Sequence, residues 1–81
     1  MDAGVAFGKV LRRLRMEAGL TQEELGFEAE LRRTYVSILE LGQQQPSLTT
    51  IIKIAQALNL TPGSLLDMVM NEGKHPKSRE K

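Results

Sequence analysis

The chain has 81 residues, 41% of them hydrophobic and 26% charged, with no cysteine and a formal net charge of +1. This length holds one small domain, near the lower limit of what a hydrophobic core supports without staples, so a second copy of the chain is a natural source of further buried area. The composition excludes a disulfide framework and a thiolate metal site; the single histidine, His75, cannot assemble a metal site alone, and no apolar run approaches the roughly 20 residues a membrane span needs.

Phe7, Leu11, Leu14 and Ala18 recur at helical spacing and predict a first helix over about residues 5–18 with one buried stripe, leaving Lys9, Arg12, Arg13 and Glu17 elsewhere on the wheel. Gly19 is the expected left-handed stop. A second helix begins at Thr21, whose hydroxyl can cap a free amide while Glu24, three residues on, reaches back in a capping box. Leu25 and Ala29 share its inner face. Gly26 costs about 1 kcal/mol against alanine inside a helix, so its missing side chain is expected to permit close packing against the third helix.

The third helix is predicted over about residues 33–41. Tyr35, Val36 and Leu39 point one way, while Arg33, Thr34, Ser37, Ile38 and Leu41 occupy an opposite arc of roughly 140°. Gly42 ends it, Gln43, Gln44, Gln45 and Pro46 form a polar loop, and Ser47 caps a fourth helix over about residues 48–58. Leu48, Ile51, Ile54, Ala55 and Leu58 make that helix the most periodic segment and the expected centre of the core. Thr61 caps the fifth helix, about residues 62–70, with Pro62 at its first position. Leu65, Leu66, Met68, Val69 and Met70 are more apolar than one small face needs, and we read Leu65, Leu66, Met68 and Val69 as a homodimer contact.

This organisation gives one all-α domain, residues 1–70, and a basic tail, residues 71–81, NEGKHPKSREK, expected to be disordered. Four Lys/Arg face one Glu from Gly73 to Lys81, whereas residues 1–72 carry seven Lys/Arg against nine Asp/Glu, a balance of −2. A nucleic acid must therefore be held by a local cationic cluster and not by a global field. The tail can add nonspecific attraction or simply be solvated, and Arg12 and Arg13 can touch phosphates or, in the reading preferred, solubilise the first helix.

Thr21 to Gly42 reads as two short helices joined by a few residues, the second with separate charged and apolar faces: a helix-turn-helix. The run Leu20-Thr21-Gln22-Glu23-Glu24-Leu25, then Tyr35-Val36-Ser37, Glu40, Gly42, Pro46-Ser47-Leu48 and Ala55-Gln56-Ala57-Leu58, resembles the DNA-binding domain of the phage repressor and Cro family, the XRE-type regulators, over about residues 5–68. Leu31-Arg32-Arg33-Thr34-Tyr35-Val36-Ser37 is similar in particular to the controller proteins of restriction-modification systems. The resemblance implies a compact five-helix repressor-like fold with the helix-turn-helix at helices 2 and 3, and double-stranded DNA as partner. It implies that Gln22 contacts DNA backbone, that Arg32, Arg33, Thr34, Ser37 and Ile38 read base edges in the major groove, and that Arg15 and Glu40 form a structural ion pair. The chain departs from the family pattern at Glu30, where a turn glycine is usual, at Gly26, where alanine is usual, at Arg32, where serine or threonine caps the third helix, and in its uncharged glutamine loop.

Among these residues a guanidinium can pair bidentately with guanine O6 and N7, worth about 1–3 kcal/mol of discrimination. Ile38 can pack on a thymine methyl or lie partly buried beside Leu41. The expected function is a sequence-specific transcription regulator that acts as a homodimer on a two-fold operator. The alternative is a protein-interaction module, an antitoxin or adaptor, on the same scaffold with weak DNA binding. No nucleophile, base and orienting group suggest an enzyme. No cofactor or small-molecule ligand is expected, and the expected location is cytoplasmic, the N-terminus lacking a separate apolar export region.

Overall fold

A computed structural model describes residues Met1–Lys74, which form five helices and, among the described residues, no strand. The Asp2 carboxylate accepts a hydrogen bond from the Val5 amide at 3.1 Å and starts α1 (Ala3–Glu17) two residues before the start at residue 5 that the apolar spacing predicts. Thr21 and Glu24 form the capping box of α2 (Gln22–Ala29), with both reciprocal bonds made, at 3.0 and 2.8 Å. Ser47 and Thr61 cap α4 (Leu48–Ala57) and α5 (Pro62–Gly73) through their hydroxyls. Only α3 (Arg33–Glu40) starts without a side-chain cap, because its N-cap residue is Arg32.

The four connections are built alike. Each passes through one left-handed residue, in order Gly19, Glu30, Gly42 and Asn59. The amide of the next residue then reaches five residues back: Leu20 to Arg15, Leu31 to Gly26, Gln43 to Ile38 and Leu60 to Ala55, at 2.7–3.1 Å. This is the Schellman closure of a helix end. Asparagine tolerates the left-handed region through its short polar side chain; Glu30 is the one residue of the four with no such excuse.

The core gathers Ala6, Phe7, Val10 and Leu11 from α1, Leu25 and Ala29 from α2, Val36 and Leu39 from α3, Ile54 and Ala55 from α4, and Leu65 and Val69 from α5. The central element is α1, which packs on both α3 and α5, and not α4 as periodicity predicts. The reason is that α4 is apolar on more than one side: Leu48 and Ile52 are exposed, and only Ile54 and Ala55 of its apolar residues are fully enclosed. In α1 the buried stripe includes Val10, Leu14 is only half-buried, and Ala18, which follows the last helical residue, is exposed.

Two corrections concern α5. It continues through Asn71, Glu72 and Gly73, and Glu72 meets Arg13 of α1 at 3.0 Å, so the domain runs past residue 70. The remainder of the expected tail, residues 75–81, lies outside the described residues. Leu65 and Val69 belong to the chain's own core, so they are not available as the centre of a dimer contact; Leu66 and Met70 are the exposed apolar residues of this helix, with Met68 half-buried. No helix among the described residues is long and apolar enough to cross a membrane.

Candidate nucleic-acid interface

Two glycines let neighbouring helices close on α3, one at each end. A Cβ on Gly8 of α1 would stand 2.4 Å from the Leu39 carbonyl oxygen and 2.7 Å from that of Glu40; one on Gly26 of α2 would stand 2.6 Å from the Leu31 carbonyl oxygen. Real Cβ atoms do not approach backbone oxygens so closely, so both positions require glycine for this packing. The expected role of Gly26 is thereby located: it admits the turn that leads into α3, and this outweighs its cost to α2.

With Val36 and Leu39 fixed inward, the other face of α3 is turned out. Arg32, Arg33 and Thr34 are exposed, and Ser37 and Ile38, one turn further along, are half-buried. Among the described residues neither Arg32 nor Arg33 has a carboxylate partner. The side chains that face outward at the helix start are thus two free guanidiniums and a hydroxyl, on a helix whose first amides have no side-chain cap. Such a surface suits an anion or the acceptor-rich edge of a guanine.

Gln22, the first residue of α2, is brought to the same place. It lines a shallow depression together with Arg15, Thr21, Glu23 and Arg33. Behind it lies a nearly enclosed polar network. Arg15 Nε donates to Glu40 Oε2 at 2.6 Å, Arg15 Nη2 donates to Glu40 Oε1 at 3.1 Å, and Arg15 Nη1 donates to the Leu20 carbonyl at 2.8 Å. The side chains are 13% and 4% exposed for Arg15 and Glu40 respectively. The hydrogen bond to Glu40 raises the Arg15 pKa above the ordinary arginine value, burial works against it, and the charge of Glu40 adds to the rise. Arg15 is therefore committed to the fold, unlike Arg33, which lines the same depression.

Of the other basic residues, Lys9 and Arg12 of α1 are also exposed with no carboxylate partner among the described residues. Arg13 is engaged by Glu72, and Lys53 stands 3.9 Å from Glu30 in an exposed contact of little energetic weight. Sequence reasoning missed two features. The bond from Gln22 Nε2 to Glu40 Oε1, 3.1 Å, joins residues 18 apart and has no local signature. Phe27, 83% exposed on α2, did have one: it follows the buried Leu25 by two residues, which is about 200° round the wheel.

Residues 11–65 match the family described as Helix-turn-helix. The control protein C.BamHI of Bacillus amyloliquefaciens is 44% identical over 62 residues, covering 75% of this chain and 76% of that protein. The solved structure of the restriction-modification controller protein C.AhdI from Aeromonas hydrophila is similar with a TM-score of 0.74 and 47% identity, over 76% of this chain and 94% of that one. The controller protein C.Esp1396I, solved as a tetramer in complex with its natural 35 base-pair operator, aligns with a TM-score of 0.80 and 25% identity over 89% of this chain and 95% of that one. With the helix-turn-helix geometry in place and relatives of this kind, the chain belongs to the helix-turn-helix family of DNA-binding transcription regulators, of the XRE type to which the controller proteins also belong.

Proposed function

We propose that the protein acts as a homodimer on a two-fold DNA operator, with α3 of each copy in one of two successive major grooves and the half-sites about one helical turn apart. The observation that carries this is the outward Arg32–Arg33 pair at the uncapped start of α3, beside Gln22 and without a carboxylate partner among the described residues, whereas Arg13 and Arg15 are paired. In this reading Arg32 and Arg33 address guanine or phosphate, Thr34 and Ser37 hydrogen-bond at the groove floor or wall, Ile38 covers a thymine methyl, and Gln22 donates to a backbone phosphate.

Dimerisation is supported by the apolar residues that folding leaves uncovered. Leu66 and Met70, 40% and 53% exposed, lie four apart along one side of α5. Leu48 and Ile52 are likewise four apart and exposed on α4. A groove lined by Phe7, Pro46, Ile51 and Leu66 runs beside them. These residues replace Leu65 and Val69 as the candidate contact. The relative C.Esp1396I meets its operator in several copies, which agrees with association on DNA.

The test is a selection of bound duplexes from a random pool at a stated salt concentration, followed by titrations against the selected and scrambled sequences. A two-fold consensus is expected, with log affinity falling linearly against log salt by about −0.9 for each phosphate neutralised, of which the four guanidiniums at the two α3 starts of a dimer supply about −4 when all of them meet phosphate. Equal binding of selected and scrambled duplexes sinks the reading. A protein-interaction role has one observation in its favour: Phe27 protrudes from α2 with Glu23 and Glu24 one helical turn before it. Negligible salt dependence beside a tight protein partner would favour that role over DNA reading.

A further inference from the structure

The bond between Gln22 and Glu40 links a residue of the outward depression to a carboxylate shut in behind it. Glu40 takes three hydrogen bonds, two from Arg15 and one from Gln22. An ionised carboxylate only accepts, so the Gln22 atom that faces it must be the amide nitrogen, and the orientation of the amide group is settled by chemistry alone. One of the two Nε2 hydrogens is directed inward by this contact. The other has no protein acceptor among the described residues, and the side chain that carries it lines the same depression as Arg33.

We infer that Glu40 is a positioning residue for DNA binding, holding the Gln22 amide so that its second N–H meets a backbone phosphate; this rests on the reading of Gln22 as a DNA contact. Two features make the arrangement workable. Arg15 neutralises Glu40, so the enclosed carboxylate presents no net negative charge to an approaching phosphate. A glutamine already held in one orientation gives up less rotamer freedom when DNA arrives than a solvated one does. Glu40 thus does more than tie α1 to α3: it aims a donor on α2 that it does not share a helix with.

The test compares Gln22→Ala in two backgrounds: the natural protein and the paired variant Arg15→Met with Glu40→Met, in which apolar side chains of similar length replace both charges, a change that buried pairs commonly tolerate. Thermal unfolding first establishes that each variant is folded. In the natural background Gln22→Ala is expected to weaken binding to the selected duplex about tenfold, the scale of one charge-assisted hydrogen bond, and in the paired background no more than about twofold. An equal loss in both backgrounds overturns the positioning role while leaving Gln22 as a DNA contact. No loss in either overturns both this inference and the role given to Gln22, and leaves the reading of α3 to be judged on Arg33. A measurement on the unmodified protein does not depend on any variant folding: the Gln22 Nε2 protons should exchange with water more slowly than those of an exposed glutamine such as Gln43, and their NMR signals should shift when duplex is added. Two rapidly exchanging protons in the free protein would overturn the inference on their own.

Discussion

The two ends of α3 face opposite demands. At its C-terminal end Glu40 is enclosed and accepts three hydrogen bonds, with Gly8 of α1 pressed against the Leu39 and Glu40 carbonyls. At its N-terminal end, seven residues earlier, Arg33 is exposed with no carboxylate partner among the described residues, and Arg32 occupies the cap position without capping. Charges at the first end are satisfied by the protein. Those at the second meet no carboxylate among the described residues. The contrast teaches that anchoring α3 by one end lets the other stay exposed and uncommitted while the helix is held in place.

The sharpest way to break this contrast is to remove one partner from the anchored end. Arg15→Met leaves Glu40 enclosed without its counter-charge and is expected to cost about 3 kcal/mol of stability, as for other buried pairs broken from one side. The paired change Arg15→Met with Glu40→Met should recover most of it, a strong non-additivity that urea unfolding would report. A single-variant loss under about 0.5 kcal/mol would mean that the end is not anchored as described. The pH dependence follows from the raised Arg15 pKa. A raised value stabilises the fold below the unfolded pKa and is lost only as pH climbs through the folded one. Both lie above the ordinary arginine range or at it, so the contribution of Arg15 should be constant from about pH 6 to pH 9.

At the open end the same substitution logic gives the reverse result. Arg33→Ala should leave stability within about 0.5 kcal/mol, since the side chain is exposed. Discrimination at one guanine of the operator should fall by about 1–3 kcal/mol, read as a relaxed preference at that base in the selected pool. If Arg33→Ala lowers affinity for all sequences alike, the residue grips phosphate and Arg32 becomes the candidate for base reading.

How legible these two ends were in the sequence differs for a physical reason. The open end follows from periodicity, because exposure is what remains once Val36 and Leu39 are turned inward, and the capping box of Thr21 with Glu24 is a pattern within four residues. The anchored end depends on pairs 25 and 18 residues apart, Arg15 with Glu40 and Gln22 with Glu40. The first was available only through resemblance to a family, and the second not at all. The dimer surface failed in part for a related reason: five apolar residues within Leu65 to Met70 state that α5 has apolar surplus, but not which of them the chain's own α1 covers. Similarly, the strong periodicity of α4 measures how apolar it is, and only the packing of α1 against α3 and α5 decides that α4 lies to one side.

That surplus gives the next test, on the helix farthest in sequence from α3. Leu66→Glu places a charge on the exposed side of α5 and should raise the dimer dissociation constant at least about tenfold, or about 1.4 kcal/mol, as measured by sedimentation equilibrium. The monomer should remain folded, because Leu66 is outside the enclosed core. Weakened operator binding that recovers at high protein concentration would connect the two surfaces; an unchanged dimer constant would place the interface elsewhere, with Leu48 and Ile52 next to be tried.

The smallest expected effect concerns the turn that sets the open end in place. Glu30 holds φ +59° and ψ +42°, a left-handed conformation that costs an ordinary residue roughly 1–2 kcal/mol. Its carboxylate does little to offset this, since the side chain is largely exposed and the Lys53 amine is 3.9 Å away. Glycine would remove the Cβ penalty but would also give the unfolded chain more freedom, a cost of about 0.5–1 kcal/mol. The two terms leave Glu30→Gly more stable by about 0.5 kcal/mol, measurable as a shift in the urea midpoint with an unchanged slope. Asn59→Gly, at the equivalent place after α4, should gain less, because asparagine already tolerates that conformation. If both substitutions gave the same gain, the strain at Glu30 would be relieved in some other way, and the turn that presents Arg32 and Arg33 would be more relaxed than its backbone angles imply.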